Sequence, residues 1–439
     1  MKRCRAQELA GDAVSKDFPV IVSSPRNFLT SLFYAAVRAA DPLSGIKAHL
    51  PAKPKGRTVV IGAGKGAAQM ARAFESVWDA PLAGVVVTRY GYGCETQKID
   101  IIEAAHPVPD AAGLSASKRL VQTVKDLGPE DLVIALICGG GSALLPAPPA
   151  GLTLDDEIAL NEMLLASGAP ISAMNVVRKH LSTIKGGRLA AATKARVVSL
   201  IVSDIPGDNP AHVASGPTVP DRSTRHEAIE IVRQYGLQLP KAALDHLGSP
   251  AADAPLPDDP IFAGHEHHII ASAGVSLEAA AQLAKSNGIT PVILSDSIEG
   301  ESRDAALVHA AIAREVLGRN RPFEKPAVIL SGGETTVTLR AKGGRGGRNG
   351  EFALAAALAI DGHDIHLLAA DTDGIDGSED NAGAFADGTT VRRLREGGLD
   401  PRRLLDGNDS YSAFQAIGDL FETGPTGTNV NDFRAILVC

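Results

Sequence analysis

The feature that most constrains this chain is a recurring unit in which a short, continuously apolar, β-branched run leads through a turn into an Ala-rich stretch of helical length. Such runs fall at Thr58–Gly62, Gly84–Thr88, Ile99–Glu103, Leu132–Ile137 and Val197–Ser203. They do not alternate apolar with polar residues, so both of their faces must be covered. That is the pattern of parallel strands sandwiched between helices. An open α/β sandwich follows. The segment GSPAADAPLPDD (248–259) interrupts the rhythm with prolines and no apolar periodicity. Beyond it the rhythm resumes at His268–Ala271, Thr290–Ser295, Ala327–Ser331, Thr335–Leu339, Ile365–Ala370 and Arg434–Val438. The sequence therefore predicts two domains in its 439 residues: a parallel-sheet α/β domain over 27–250 and a second α/β domain over 262–439.

Composition narrows the function. The chain carries 43 Lys and Arg against 51 Asp and Glu, a net charge of −8, which argues against a surface built to hold nucleic acid or anionic lipid. No run approaches the roughly 20 apolar residues that span a bilayer, and the opening MKRCRAQELAGDAVSKD lacks the apolar stretch of an export signal. Cys4, Cys94, Cys138 and Cys439 are far apart and form no C-x-x-C pair, so neither a zinc cluster nor a disulfide framework is expected. A cytoplasmic enzyme acting on a small molecule fits these features, with homo-oligomerisation left open.

In open parallel sheets ligands sit beyond the carboxyl ends of the strands, so the residues after each run carry the functional signal. The first run empties into Gly62-Ala63-Gly64-Lys65-Gly66 and then a helix, which sets amide N–H groups and a lysine where an anion such as phosphate would bind. Gly62, Gly64 and Ala67 also match the dinucleotide pattern G-x-G-x-x-G/A. That reading wants an acid at the end of the second strand, where Thr88-Arg89 stands instead, although Arg89 would suit a 2′-phosphate. A P-loop is excluded because Gly66 follows Lys65 where Ser or Thr is required.

Two further runs lead into glycine pairs that read as strand-end turns: Gly139-Gly140-Gly141-Ser142, and Ser331-Gly332-Gly333-Glu334. Ser142 lacks the G-x-S-x-G frame of a hydrolase nucleophile. The run Gly343-Gly344-Arg345-Gly346-Gly347-Arg348 offers two guanidiniums among flexible glycines at a helix entry. Asp204 and Asp208, and Asp371 and Asp373 of DTDGIDG, follow strands and are candidates for Mg²⁺ or for taking a hydroxyl proton. His106, Lys179-His180 and the His265–His268 cluster read as structural.

Taken in order, VIGAGKGAAQMA (60–71), HPVPD (106–110), CGGGSALLPAP (138–148), LSTIKGGRLA (181–190), SDIPGD (203–208), ASGPT (214–218), LSGGETTVT (330–338), GRGGRN (344–349) and DTDGIDG (371–377) resemble the glycerate 2-kinases of the MOFRL type. That group also carries the name hydroxypyruvate reductase. The resemblance runs from about 27 to 437. It implies ATP-dependent phosphorylation of the 2-hydroxyl of D-glycerate, in a cleft between the Rossmann-like domain and a MOFRL domain. It also implies catalytic roles for Lys65 and Arg345. Phosphate or substrate contacts are expected from Gly62, Gly64, Gly140, Gly141, Ser142, Gly332, Gly333, Glu334 and Arg348, with Mg²⁺ on the four aspartates. Gly350 stands where the pattern often has Gln, and roughly the first 20 residues read as a variable extension. The alternatives are an NAD(P)-dependent hydroxypyruvate reductase and a nucleotide-responsive binding protein without turnover.

Overall fold

The computed structural model describes residues 24–340, 343–426 and 428–439; the N-terminal extension and Cys4 lie outside them. The expected Rossmann-like sheet is present. Its strands are β1 (Thr58–Ala63), β2 (Leu82–Arg89), β3 (Ile99–Ala104), β4 (Leu132–Cys138), β5 (Arg196–Val202) and β6 (Glu266–Ala271), in the order β3-β2-β1-β4-β5-β6 and all parallel.

The unbroken apolar runs behave as the two-sided burial argument requires. Every residue of β1 and of β4 is buried. Val59, Ile61 and Ala63 pack with Leu120 and Val124 of the helix Ala111–Lys125 on one face. Val60, between them in sequence, packs on the other face with Met70 and Phe74 of the helix Ala67–Val77. The chain switches direction across the sheet between β1 and β4, so a crevice opens beyond the carboxyl ends of those two strands.

The second sheet departs from the parallel rhythm. It contains β7 (Thr290–Glu301), β8 (Ala327–Thr336), β9 (Ile365–Asp371), β10 (Gly383–Asp387), β11 (Leu420–Phe421) and β12 (Asp432–Val438), ordered β11-β10-β9-β12-β8-β7. Only β7 and β8 run parallel; the other neighbours are antiparallel. Asp432 at the start of β12 is thereby registered between Gly333 of β8 and Asp371 of β9.

Three sequence expectations change. The proline-rich segment does not separate the sheets, because β6, which follows it, pairs with β5 in the first sheet; the division falls after Ala271. The helix Pro25–Ala39 does not join the first sheet either. Its Phe28, Leu29, Leu32 and Phe33 fill the second core against Val328, Leu330 and Phe433. Finally, Ser331 to Thr335 is not a turn but the interior of β8. Its glycines serve close strand contact: a Cβ on Gly333, whose φ is +130°, would collide with the Ile298 backbone of β7.

Between β4 and β6 the chain inserts helices with their own core, including Leu164, Val177, Val232 and Leu247. Lys185 and Glu157 make a buried ion pair there at 2.8 Å, Lys179 pairs with Asp221, and His180 Nδ1 lies 2.7 Å from the Ala252 carbonyl. Lys179 and His180, which the sequence reading took as structural, are thus held by groups of this helical core.

Candidate active site

The carboxyl ends of the first sheet face one end of the second across a cleft of about 1040 Å³. On the first side, Gly64 takes a φ of +140°, and a Cβ there would strike Cys138 of β4. The backbone of Lys65 is pinned on several sides. Its N–H donates to the Gly139 carbonyl at 2.8 Å, its carbonyl accepts from Thr88 Oγ1 at 3.0 Å, and the next N–H, of Gly66, meets Cys138 Sγ at 3.2 Å. Lys65 is thus delivered rigidly to the mouth of β1.

Three side chains meet over the glycine pair after β4. The Asp204 carboxylate occupies the place a Cβ on Gly139 would take. At Gly140, with φ +78°, a Cβ would lie 2.9 Å from the Lys65 stem and 3.0 Å from His106 Nε2. Only glycine leaves room for that convergence. Burial pushes the Asp204 carboxyl up and Glu334 across the cleft adds to it, while Lys65 opposes the rise. His106 is lowered to about 4 by burial and by the charges of Lys65 and Arg89, so its ring is neutral near pH 7. The Cys138 thiol, pushed up to about 12 by burial, is not a nucleophile.

On the second side, Arg348 opens the helix Arg348–Ala359 after Gly347 and is held by three carboxylates. Its Nε lies 2.6 Å from Asp432 Oδ1, its Nη2 2.7 Å from Asp371 Oδ2 and its Nη1 3.2 Å from Glu334 Oε1. Burial works against this guanidinium, but Asp432, Asp371 and Glu334 outweigh it and raise its pKa further. Asp371 is pushed well above the carboxylate range by burial; Arg348 opposes the rise, and the neighbouring charges of Asp373 and Asp432 add to it. Asp432 falls below that range because Arg434 and Arg348 overcome its burial. Asp376, the third aspartate of DTDGIDG, caps the helix by accepting from the N–H groups of Asn349 (2.9 Å) and Gly350 (2.7 Å); burial raises it to about 6.

The structure brings together Lys65, Gly140, Asp204, Glu334, Arg348, Asp371 and Asp373 of the sequence candidates. The others do not line the cleft. Gly62 lies inside β1 against Leu136 and Val86, and Gly64 and Gly141 are packing positions against Cys138 and Ala214. Ser142 Oγ bonds Ser215 Oγ at 2.8 Å, behind the loop. Gly332 and Gly333 are strand residues, and Asp208, in the short turn Pro206–Asp208, is not among the residues that line the cleft. Arg345 is turned to Glu379, with Nη2 at 2.6 Å, and lies over the Tyr411 ring at 4.1 Å; its neighbours Gly344 and Gly346 line the cleft instead. The guanidinium that the second side presents is Arg348's. Sequence reasoning missed His106 as a site residue and missed Asp432 altogether.

Two family models match the chain: a domain of unknown function, DUF4147, over residues 28–248, and the MOFRL family over 327–432. A glycerate 2-kinase of Pyrococcus horikoshii is 40% identical over 420 residues, spanning 92% of this chain and 95% of its own. The chain belongs to the glycerate 2-kinase family. The crystal structure of another member, the glycerate kinase of Thermotoga maritima, superposes with a TM-score of 0.86 at 37% identity, covering 94% of this chain and 99% of its own. A protein of Agrobacterium vitis that is 50% identical over 419 residues, 94% of this chain and 95% of its own, bears the name hydroxypyruvate reductase, qualified as unproven.

For a glycerate 2-kinase family member the site must accept phosphate, and it carries groups suited to that. Among the described residues Lys65 and Arg89 line the cleft without an ion-pair partner, unlike Arg348. No three His, Cys, Asp or Glu among those residues are grouped to hold a metal by themselves. Asp371 spends one oxygen on Arg348 and the other on the Asp373 N–H at 3.2 Å. Asp373 engages only Oδ1, with the Ile375 N–H at 2.8 Å, and among the described residues the Asp204 carboxylate is bonded to no residue but its own backbone amide. Those free carboxylate oxygens suit Mg²⁺ arriving with phosphates, since that ion takes one or two carboxylates and completes its shell with phosphate and water.

Proposed function

We propose that the protein is an ATP-dependent kinase that phosphorylates the 2-hydroxyl of D-glycerate to give 2-phosphoglycerate. The observation that carries this reading is the meeting of Lys65, His106 and Asp204 over Gly139-Gly140, opposite Arg348, Asp371 and Asp373. Phosphoryl transfer needs positioned charge and a proton acceptor, not a covalent nucleophile. Lys65, with the amides that open the helix Ala67–Val77, stabilises negative charge on the transferring phosphoryl group. Asp204 accepts the proton of the attacking hydroxyl, a role for which its burial-raised carboxyl is suited. Asp373, backed by Asp371, would hold Mg²⁺, which supplies further neutralisation of the phosphate oxygens. Arg348 keeps Asp371 and Glu334 in place, and Arg345 positions the glycine run through Glu379 and Tyr411.

The reductase alternative needs a carboxylate at the end of β2 for the ribose hydroxyls. Thr88 and Arg89 stand there, and the Thr88 hydroxyl is already spent on the Lys65 carbonyl. The deciding assay follows ADP release with ATP, Mg²⁺ and D-glycerate beside NADH and NADPH consumption with hydroxypyruvate. Glycerate-dependent ADP release supports the kinase. Nicotinamide oxidation without it overturns the reading.

A further inference from the structure

The carboxyl ends of β1, β2 and β3 lie side by side, and each delivers one polar residue to the cleft. Thr88 of β2 bonds the Lys65 carbonyl at 3.0 Å, so Arg89 lies alongside Lys65. Arg89 is itself registered with Ala104 of β3, two residues before His106. All three residues line the cleft. Lys65 belongs to the glycine turn and its helix-opening amides. Arg89 does not: it sits one strand away, its guanidinium over the Tyr92 ring at 4.1 Å. Among the described residues no carboxylate pairs with it. An unpaired guanidinium resting on an aromatic ring at the rim of a site offers its fork to an oxyanion.

We propose that Arg89 is the carboxylate anchor of the hydroxy-acid substrate, which rests on the kinase reading above. Neighbouring strands are about 4.8 Å apart. That spacing suits a molecule whose carboxylate and reacting hydroxyl are on adjacent carbons, one end at Arg89 and the other at Lys65 and Asp204. A phosphate would be served equally by the rounder ammonium of Lys65, whereas a carboxylate matches the guanidinium fork in plane and spacing. The His106 ring, kept neutral by burial and by the charges of Lys65 and Arg89, adds no third cation to compete for either anion. Arg89 thereby selects 2-hydroxy acids over uncharged polyols.

The test compares Arg89→Met and Arg89→Lys with the wild type in two independent readouts. In steady-state kinetics Arg89→Met is expected to raise KM for D-glycerate ten- to hundredfold, the range for losing hydrogen bonds to a charged group. KM for ATP should stay unchanged and kcat should move by only a few-fold. Arg89→Lys should recover part of the loss, and the preference for D-glycerate over glycerol should shrink in both variants. The second readout is calorimetric binding of D-glycerate without nucleotide, which does not depend on turnover. If D-glycerate is not phosphorylated, the functional reading falls, and binding still decides the anchor: affinity lost in Arg89→Met upholds it. Unchanged glycerate KM and affinity, or a rise confined to the KM for ATP, would overturn it and put a nucleotide phosphate on Arg89.

Discussion

Replacing Lys65 by Met separates the chemistry of this site from its architecture. The two side chains have similar length, so the contact of the Lys65 stem with Gly140 survives the change. The ammonium makes no ion pair among the described residues; its removal takes away only the charge that opposes the rise of the Asp204 carboxyl, which should then be pushed up further toward its neutral form. Folding stability should therefore change by less than about 0.5 kcal/mol. Catalysis should not be spared. Losing one preorganised charge at a developing anion costs about 10²–10³ in kcat, or roughly 3–4 kcal/mol of transition-state stabilisation. The variant also carries an internal reporter. Lys65 is the second cause, after burial, of the low pKa of His106, with Arg89 the third. Its loss should let the His106 ring titrate above about 4, yet below its ordinary value, because burial and Arg89 remain. Proton NMR titration of the His106 ring, thermal melting and glycerate-dependent ADP release together define the outcome. A variant with a raised His106 titration and a wild-type kcat would remove Lys65 from the chemistry.

Other substitutions sort the remaining charges. Arg348→Met leaves Asp371 and Asp432 buried without their shared cation, so it should destabilise the fold by about 3–5 kcal/mol in denaturant titration, and a wild-type midpoint would refute the network. Arg345→Met should leave the melting temperature close to that of the wild type, because Arg345 is half exposed where it meets Glu379, and should cost less than tenfold in kcat; a loss equal to that of Lys65→Met would put Arg345 in the chemistry. Asp373→Asn should keep the fold and move the Mg²⁺ dependence of turnover to higher concentration; an unchanged Mg²⁺ response would leave Asp373 as a turn former only.

What could be read from the sequence follows from how local each signal is. The strands of the first sheet were legible because β1 after Thr58 and all of β4 run without a polar residue and are buried along their whole length, which only two-sided burial explains. β10 and β11 were not. GAFAD between polar loops and the two-residue Leu420–Phe421 carry too little pattern to stand out. Gly332-Gly333 misled because paired glycines usually punctuate a strand, whereas here they let β8 press against β7. Lys65 and Asp204 were found because each follows an apolar run directly. Asp432 was not, since its role exists only through the antiparallel register that sets it beside Asp371, 61 positions earlier, and within reach of Arg348. His106 needed the Gly140 loop to bring Lys65 against it, a meeting no local spacing announces. Arg345 and Arg348 share one glycine run, and sequence favoured the residue whose guanidinium turns to Glu379.

The central claim is a phosphoryl transfer to one particular hydroxyl, and phosphorus NMR of the product tests it most directly. The purified protein is incubated with ATP, Mg²⁺ and D-glycerate, and the new resonance is assigned by its coupling to the carbon-bound protons and by addition of authentic standards. A phosphorus coupled to the single C2 proton, coincident with 2-phosphoglycerate, is the result expected when Arg89 holds the carboxylate and the neighbouring hydroxyl faces Lys65 and Asp204. A phosphorus coupled to the two C3 protons, or ATP consumed with no glycerate ester formed, would contradict it.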